Sequence, residues 1–177
     1  MIIGLTGYAQ SGKDTVANIL VENYGYQRVA FADPIRDLLY EANPMLKEGY
    51  RVQGLVDVYG WDRVKVDYPE ARDLLQRLGV GARKTFGDMF WVQQALKNVD
   101  ANSDYVITDV RFPNEAKAIR LNEGAQIWRI RRTGFDAVNA HESESAMDGE
   151  KVDQIFLNSG ALDDLKILIQ TRMRAYV

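Results

Sequence analysis

A glycine-rich segment between two apolar segments constrains the fold of this chain more than any other feature. The segment reads Gly7-Tyr8-Ala9-Gln10-Ser11-Gly12-Lys13-Asp14-Thr15. Residues 2–6 before it form a short, continuously apolar run, which is typical of a strand buried in a parallel sheet. After it, apolar side chains recur along one helical face at Val16, Ile19, Leu20 and Tyr24. A strand, a glycine loop and a helix in this order predict a phosphate-binding loop within an α/β fold.

The loop contains the residue types that binding a phosphate group requires. Gly7 and Gly12 allow backbone N–H groups to turn inward around an anion, and the N-terminus of the following helix adds partial positive charge. Lys13 is placed to bridge the terminal phosphates of a nucleotide and to offset the charge that develops during phosphoryl transfer. We therefore predict contacts with ATP or phosphate from the loop residues Gly7, Gln10, Ser11, Gly12, Lys13, Asp14 and Thr15.

The residue after Lys13 departs from the usual pattern of such loops. A Ser or Thr normally follows the lysine and its hydroxyl meets Mg²⁺, whereas here Asp14 follows and Thr15 comes next. A carboxylate is a charged oxygen ligand that holds Mg²⁺ directly or through water, so Asp14 and Thr15 are candidate metal residues. The alternative is that Asp14 only stabilises the first helical turn electrostatically.

Composition narrows the classes of partner and chemistry. The chain has 177 residues and a formal net charge of −3, which argues against a broad basic face for nucleic acid or an anionic membrane. It has no cysteine and a single histidine, His141, which excludes thiol chemistry and a His-rich metal centre. We read the N-terminal apolar run as a strand rather than a signal peptide, and we expect a soluble, cytoplasmic protein.

Apolar runs and helical patterns alternate along the whole chain. Strands are expected at residues 2–6, 26–31, 104–110, 126–130 and 152–157. Helices are expected after the loop up to Gly25, from a cap at Asp33, at 68–79, at 88–98, from Pro113 to Gly124 and from Leu162 to Tyr176. Residues 43–66 show weak periodicity and receive no assignment. This alternation predicts a parallel sheet covered by helices on both faces.

A second polar pair follows a buried strand. Asp109 and Arg111 come directly after the apolar run at 105–108, which places them at the carboxyl edge of the expected sheet. Ligands of open α/β sheets bind at that edge. Asp109 is therefore predicted to orient Mg²⁺ through water or to accept a hydrogen bond from the phosphoryl acceptor, and Arg111 to reach a phosphate. The alternative is a surface pair that closes the strand.

Several short motifs together resemble the bacteriophage deoxynucleoside monophosphate kinases. The matching motifs are spread over nearly the whole chain and occur in the same order as in that family. It is carried by residues 11–15, by Phe31-Ala32-Asp33-Pro34 with Arg36, and by Leu78-Gly79 followed by Arg83, Gly87 and Trp91. It continues in Asp109-Val110-Arg111-Phe112-Pro113-Asn114-Glu115, in Trp128-Arg129-Ile130 with Arg132, and in Asn158, Gly160, Leu162 and Leu165.

The resemblance implies that ATP donates its γ-phosphoryl group to a deoxynucleoside monophosphate, with Mg²⁺ as cofactor. It also implies a three-layer P-loop kinase fold around five parallel strands. The core would comprise residues 1–32, 101–130 and 151–177, with a helical monophosphate-binding insert at 33–100 and a short lid at 131–150. The partners would be small-molecule nucleotides rather than nucleic acid or membrane. The chain would be a monomer or a homodimer, located in the host cytoplasm if it is phage-encoded.

The resemblance also assigns roles to residues outside the loop. Residues expected to bind the monophosphate are Asp33, Arg36, Arg83, Trp91, Asp109 and Arg111, with Trp91 as a stacking surface for the base. Arg72 and Gln76 join them on their spacing, because they lie one helical turn apart on the polar side of the helix expected at 68–79 and could both face the cleft. An ordinary solvated helix face is an equally good account of these two residues. Lys13, Arg111 and the lid arginines Arg131 and Arg132 are expected to act in catalysis, although the last two could instead be a basic strand end. Asn158 is expected beside the adenine of ATP.

Other assignments remain open at this point. A different small-molecule kinase is an alternative, such as one that resembles dephospho-coenzyme A kinases or the phosphomevalonate kinases, which share the Gly-Lys-Asp arrangement. A nucleotide-dependent switch that hydrolyses ATP without an acceptor is a third reading, which leaves the arginine-bearing insert unexplained. The cluster at 141–144, which contains His141, is not expected to be catalytic because phosphoryl transfer needs no histidine base.

Overall fold

The computed structural model describes residues 1–100, 102–134 and 145–176. The chain forms two compact units. We call Met1–Ala30 with Asn98–Val177 the core unit, and Phe31–Lys97 the insert unit. Within the described residues, no helix is both long enough and apolar enough to cross a membrane.

The core unit is built on a five-stranded sheet in which every pair of neighbours is parallel. The strands are β1 (Ile2–Thr6), β2 (Gln27–Val29), β3 (Tyr105–Ile107), β4 (Gln126–Arg132) and β5 (Gln154–Asn158). Their order across the sheet is β2-β3-β1-β4-β5. Because all strands run the same way, the segments that follow them begin at one common edge. The predicted five-stranded parallel sheet is confirmed.

Both units contain helices. They are α1 (Lys13–Tyr24), α2 (Asp33–Ala42), α3 (Val52–Asp67), α4 (Pro69–Phe86), α5 (Phe90–Leu96), α6 (Pro113–Ile119) and α7 (Leu162–Met173), the last followed by a 3₁₀ turn at Arg174–Tyr176. Helices α1, α6 and α7 belong to the core unit, and α2 to α5 belong to the insert unit.

Helices cover both faces of the core sheet. On one face, Trp128 and Ile130 of β4 pack in a buried cluster with apolar residues of α1 and α7. On the other face, a Cβ atom at Gly4 would lie 2.8 Å from Ile119 of α6 and 2.9 Å from Ile127 of β4, so α6 packs directly against the bare backbone of β1. Each large apolar side chain buried in this way contributes roughly 1.5–3 kcal/mol. Burial on both sides explains why the central strands β1 and β3 are buried along their whole length, and the helices on both faces give the predicted three-layer arrangement.

The insert unit has an apolar core of its own. Its fully buried residues are Leu39, Leu46, Val52, Leu55, Val64 and Ala71, which α2, α3, α4 and the loop before α3 contribute. Gly60 interrupts α3 with φ 72° and ψ 159°, a conformation outside the helical region that kinks the helix. This kink explains why the sequence of residues 43–66 shows no continuous helical period.

Two expected helix boundaries in the insert unit are wrong. The helix expected to end at Gly79 continues to Phe86 and ends at Gly87, whose φ is 99°. Gly79 is a close-packing position instead, since a Cβ there would lie 3.4 Å from the side chain of Ile35 in α2. Asp33 is the first helical residue rather than the cap, which is Ala32.

Several other boundaries shift by a few residues. Strands β2 and β3 are shorter than expected, and β4 extends through Arg132, so Arg131 and Arg132 belong to the strand rather than to a loop after it. Helix α5 covers only Phe90–Leu96, and α6 ends at Ile119, with turns continuing to Gly124. The cluster at 141–144 lies outside the described residues.

Candidate active site

The glycine loop closes tightly between β1 and α1. Gly7 has φ 141° and Gly12 has φ 105°, both in the region that favours glycine. A Cβ atom would lie 2.2 Å from the carbonyl oxygen of Ile130 at Gly7, and 2.6 Å from the Asn158 amide nitrogen at Gly12. Strands β4 and β5 therefore approach the loop so closely that larger residues at these two positions would displace it.

The ammonium group of Lys13 lies over the loop. Its Nζ atom donates hydrogen bonds of 2.7 Å to the carbonyl oxygens of Gly7 and Tyr8. Lys13 is also the first residue of α1, so its charge adds to the positive end of that helix. The loop thereby holds a cation where an anion would meet the helix N-terminus.

Ser11 adds a second feature that suits an anion. Its side chain is 2% exposed, and its Oγ atom has no hydrogen-bond partner among the described residues. Buried hydroxyl groups without a partner are uncommon because desolvating them costs free energy. A phosphate oxygen bound in the loop would accept a hydrogen bond from this hydroxyl.

A cavity of about 430 Å³ opens beside the loop within the core unit. The loop and the start of α1 contribute Gln10 and residues 12–15 to its wall, and β4 contributes Arg132. The segment from the end of β5 into α7 contributes Asn158, Gly160, Leu162 and Leu165. One side of the cavity is thus polar and cationic, and the other offers apolar side chains.

Asn158 and Arg132 contact the loop itself. The Asn158 amide nitrogen donates a 3.0 Å hydrogen bond to the carbonyl oxygen of Ser11. Arg132 Nη1 lies 3.4 Å from the carbonyl oxygen of Gln10, at the long end of hydrogen-bond distance. Arg131 is not part of the cavity wall, because successive residues of a strand point to opposite faces.

Sequence reasoning gave no role to Arg129, which the structure buries. Its side chain is 7% exposed, and its guanidinium donates to the carbonyl oxygens of Met147, Asp148 and Glu150. Burial lowers the pKa of Arg129, and the nearby Arg131 lowers it further. The available signal was a charged residue inside an otherwise buried strand, which requires partners elsewhere in the chain.

A tyrosine of the loop reaches the same segment. Tyr8 Oη donates a 2.8 Å hydrogen bond to a carboxylate oxygen of Asp148. Because Arg129 also binds the backbone at Met147, Asp148 and Glu150, two separate groups fix the segment that leads into β5. No local pattern predicts this contact, because the two residues lie 140 positions apart in the chain.

The carboxylate of Asp14 lies on the cavity wall and forms an ion pair. Arg28 Nη2 of β2 lies 2.8 Å from Asp14 Oδ1, and both side chains are exposed. Thr15 lines the cavity as well. Within the described parts of the chain, no three acidic or histidine side chains are grouped closely enough to hold a metal ion by themselves. In phosphate sites Mg²⁺ usually combines one or two carboxylates with phosphate oxygens and water.

The turn that carries Asp109 and Arg111 is held by Glu115, which the sequence analysis names only as the last residue of a motif. Glu115 Oε2 accepts hydrogen bonds from the backbone N–H groups of Arg111 at 2.6 Å and Phe112 at 2.9 Å. Burial raises the pKa of Glu115 to about 7; the two backbone hydrogen bonds oppose this change, and the Asp109 carboxylate adds to it. Asp109 and Arg111 follow β3 at the same sheet edge as the glycine loop.

In the insert unit, the predicted monophosphate-binding residues have different environments. Arg36 pairs with Asp33 at 2.8 Å within α2, and Arg83 lies 3.6 Å from Asp88. Arg72 and Gln76 are exposed on α4.

Trp91 is the exception among these residues because it is only 6% exposed. Its indole nitrogen donates a 3.0 Å hydrogen bond to the carbonyl oxygen of Gly79 in α4. An indole ring with this degree of burial packs between helices of the insert unit, which favours a structural role over the predicted stacking on a base.

Comparison with known proteins assigns the family. The chain matches the deoxynucleotide monophosphate kinase family over residues 1–65 and 64–169. A protein of Acanthamoeba polyphaga mimivirus, provisionally named as a deoxynucleotide monophosphate kinase, is 28% identical over 93% of this chain and 91% of its own length. The deoxynucleotide monophosphate kinase of Escherichia phage RB69 is 32% identical over 58% of this chain and 44% of its own length.

Solved structures show the same fold at low sequence identity. Dephospho-CoA kinase from Campylobacter jejuni superposes with a TM-score of 0.52 at 15% identity, covering 98% of this chain and 95% of that protein. A sugar kinase from Janibacter sp. gives a TM-score of 0.50 at 11% identity, covering 98% and 94% of the two chains. The fold is therefore that of P-loop kinases, and the family match covers most of the sequence. The chain belongs to the deoxynucleotide monophosphate kinase family.

Proposed function

We propose that the core unit binds ATP in the glycine loop and that its γ-phosphoryl group passes to the 5′-phosphate of a deoxynucleoside monophosphate, giving the diphosphate and ADP. The observation that carries the donor side is the arrangement at the loop. Lys13 lies over the loop carbonyls, and the buried hydroxyl of Ser11 has no partner among the described residues. Family membership supports the choice of acceptor.

On the donor side, an anion in the loop would draw the Lys13 ammonium group away from the two carbonyl oxygens that it contacts. Backbone N–H groups at the start of α1 and the Ser11 hydroxyl would then bind phosphate oxygens. The apolar part of the cavity wall, with Leu162 and Leu165, suits a nucleobase, and Asn158 lines the same cavity. We propose that the adenine of ATP lies against this apolar part of the wall, beside Asn158.

On the acceptor side, we propose that arginines recognise the monophosphate. In the insert unit the candidates are Arg36 and Arg83, with Arg72 and Gln76 on the exposed face of α4. Arg36 and Arg83 already lie near carboxylates, which orients each guanidinium group. In the core unit, Asp109 and Arg111 follow β3 at the edge where ligands of such sheets bind. The acceptor phosphate is itself an anion, so no general base is required.

Magnesium fits the oxygen-bearing residues around the loop. Asp14 and Thr15 lie on the cavity wall, and Asp109 follows the neighbouring strand, so we propose that these three residues orient the ion, directly or through water. The ion would supply charge neutralisation between the phosphates of the two nucleotides. Its remaining ligands would come from phosphate oxygens and water.

Arginines at the end of β4 complete the proposed site. Arg132 lines the cavity and reaches the loop, so we propose that it contacts the phosphates of ATP directly. Arg131 points to the other side of the strand, and its predicted catalytic role would require residues 131–150 to act as a lid. A closing lid would exclude water from the reacting phosphates.

A coupled assay of ADP formation tests the choice of acceptor. The purified protein is given ATP and Mg²⁺ with each deoxynucleoside and ribonucleoside monophosphate, with dephospho-coenzyme A, or with phosphomevalonate. We expect ADP formation to depend on at least one deoxynucleoside monophosphate and to be weaker with its ribonucleotide. Turnover with only one of the other two acceptors would replace this proposal with that activity, and ADP formation independent of any acceptor would indicate an ATPase.

A further inference from the structure

We infer that Glu115 is a positioning residue, whose carboxylate holds the backbone turn that presents Asp109 and Arg111 at the sheet edge. The inference rests on the proposed function for its consequence in catalysis, and on hydrogen-bond geometry for the positioning itself. Glu115 lies in the first turn of α6, after both residues in the chain. Neither the sequence reading nor the family match assigns it a role.

The turn is anchored from two sides. Its strand-side half is held by the sheet, where the N–H of Thr108 donates to Val29 of β2 at 3.1 Å and the N–H of Val110 donates to Leu5 of β1 at 3.1 Å. These bonds fix the backbone on both sides of Asp109, and the side chain of Val110 is 2% exposed. The neighbouring strands thus hold the backbone on both sides of Asp109.

Glu115 supplies the anchor for the other half of the turn. One carboxylate oxygen accepts both following N–H groups, from Arg111 at 2.6 Å and from Phe112 at 2.9 Å. In return, the backbone N–H of Glu115 donates to the carbonyl oxygen of Phe112 at 3.1 Å. Such reciprocal bonds fix the direction in which a chain enters a helix. The backbone of Arg111, and with it the origin of its exposed side chain, is therefore set by Glu115.

This arrangement distinguishes Glu115 from a catalytic residue. One carboxylate oxygen is occupied by two backbone N–H groups and the residue is only partly exposed, which favours a positioning role over direct contact with substrate. Arg111 is exposed, and a misplacement of its backbone would change where the guanidinium group meets a phosphate. Errors of about 1 Å in such positions reduce rates by as much as about 100-fold. Glu115 would then act on the reaction only through Arg111.

Three substitutions separate the possible roles of the side chain. Glu115→Gln keeps an oxygen at the same reach and removes the charge. Glu115→Asp keeps the charge and shortens the reach by one methylene group. Glu115→Ala removes both. Asn122→Ala is the matched control. The Asn122 side chain donates to the carbonyl oxygens of Ala118 and Ile119 at the C-terminal end of the same helix, and that end carries no proposed site residue.

If reach determines the position of the turn, Glu115→Gln should retain kcat/KM for the deoxynucleoside monophosphate within about threefold, whereas Glu115→Asp and Glu115→Ala should lose about tenfold or more. Affinity for a non-hydrolysable ATP analogue should stay within about twofold in all three, since the glycine loop follows a different strand. Asn122→Ala should lower the melting temperature without this loss of kcat/KM.

Two results would overturn the inference. One is activity that does not follow reach. Wild-type kcat/KM in Glu115→Asp and Glu115→Ala would show that the carboxylate does not position the turn. A greater loss in Glu115→Gln than in Glu115→Asp would make charge rather than reach the property that matters. The other is a loss of ATP-analogue affinity in step with activity, or an equal loss in Asn122→Ala, because either result would indicate general loosening of α6. If Glu115→Ala does not fold, the comparison of Gln with Asp still decides.

Hydrogen exchange tests the positioning independently of turnover. The backbone amides of Arg111 and Phe112 should be protected in the wild type and in Glu115→Gln, and should exchange at least about tenfold faster in Glu115→Asp. Equal exchange in all three proteins would contradict the inference. If exchange follows this pattern in a protein that phosphorylates no deoxynucleoside monophosphate, the proposed function fails and the positioning role of Glu115 stands.

Discussion

The side-chain amide of Asn158 donates a hydrogen bond of 3.0 Å to the carbonyl oxygen of Ser11, joining the end of β5 to the middle of the glycine loop. The same amide nitrogen would lie 2.6 Å from a Cβ atom at Gly12. One side chain, 147 residues away in sequence, thus braces the loop at Ser11 and leaves no room for a side chain at Gly12. The loop's shape before nucleotide binds depends on this brace as well as on its own glycines.

Replacing Asn158 should therefore weaken nucleotide binding through the loop. We expect Asn158→Ala to remove about 1 kcal/mol of loop stabilisation and to raise the Kd for ATP about fivefold. Asn158→Asp should be worse, because a carboxylate cannot donate to the Ser11 carbonyl oxygen and repels phosphate. Titration calorimetry with a non-hydrolysable ATP analogue measures both values. Tighter binding by the Asp variant than by the Ala variant would contradict this role.

The two arginines at the end of β4 should separate in function. Arg132 lines the cavity beside the loop, whereas Arg131 points to the opposite side of the strand. Removing one group that stabilises transition-state charge reduces kcat about 100-fold, so we expect Arg132→Gln to approach that loss. Arg131→Gln is the matched control and should stay within about threefold by the same measure. Steady-state kinetics decides, and equal losses would mean that a closed lid brings both arginines to the phosphates.

Arg129 should matter for stability rather than for chemistry. Its guanidinium is buried and binds the carbonyl oxygens of Met147, Asp148 and Glu150. Arg129→Met would remove the donor that these oxygens share, although the Met147 oxygen still accepts from the N–H of Glu150. We expect the free energy of unfolding to fall by about 3 kcal/mol. Chemical denaturation of this variant beside Arg131→Met, an exposed arginine of the same strand, provides the measurement. Equal stability of the two variants would show that the buried contacts contribute little.

Glu115 should make the stability of the fold depend on pH. Its pKa in the folded chain is raised from the ordinary value of 4.5 to about 7 by burial, with the Asp109 carboxylate adding to the effect and Arg111 opposing it. Between these pH values the folded chain binds more protons than the unfolded chain, so the free energy of unfolding should fall as the pH rises from about 5 to about 7.5.

Moving a pKa from 4.5 to about 7 corresponds to roughly 3 kcal/mol across this interval. Glu115→Gln should remove that part of the pH dependence, because the amide does not titrate. Denaturant unfolding of the wild type and the Gln variant at several pH values gives the comparison. Parallel curves for the two proteins would contradict the raised pKa.

Local sequence signals predicted the glycine loop and its flanking elements well. Strand β1 has the expected bounds, and α1 ends at Gly25 as expected, because neighbouring residues alone determine these features. The parallel sheet followed from the alternation of strands and helices. Boundaries failed where distant packing decides, as at Gly79, which stays helical against Ile35 of another helix.

The candidate site was less predictable because its geometry depends on partners far apart in sequence. Extension of β4 by two residues separates Arg131 from Arg132, and nothing local to the sequence indicates that extension. Trp91 was expected on a base-binding surface, but its bond to Gly79 and its burial arise from helix packing. The bonds from Glu115 were within reach of the sequence, since a glutamate at the third helical position commonly caps the preceding turn.

Transfer between the two nucleotides at the glycine loop is tested most directly by the products formed by the wild type and by Lys13→Met. The measurement is chromatographic quantification of ADP and the deoxynucleoside diphosphate after incubation with ATP, Mg²⁺ and a deoxynucleoside monophosphate. We predict equal amounts of the two products from the wild type. From a folded Lys13→Met we predict a loss of at least about 1,000-fold. ADP without the diphosphate, or substantial transfer by Lys13→Met, would contradict the mechanism.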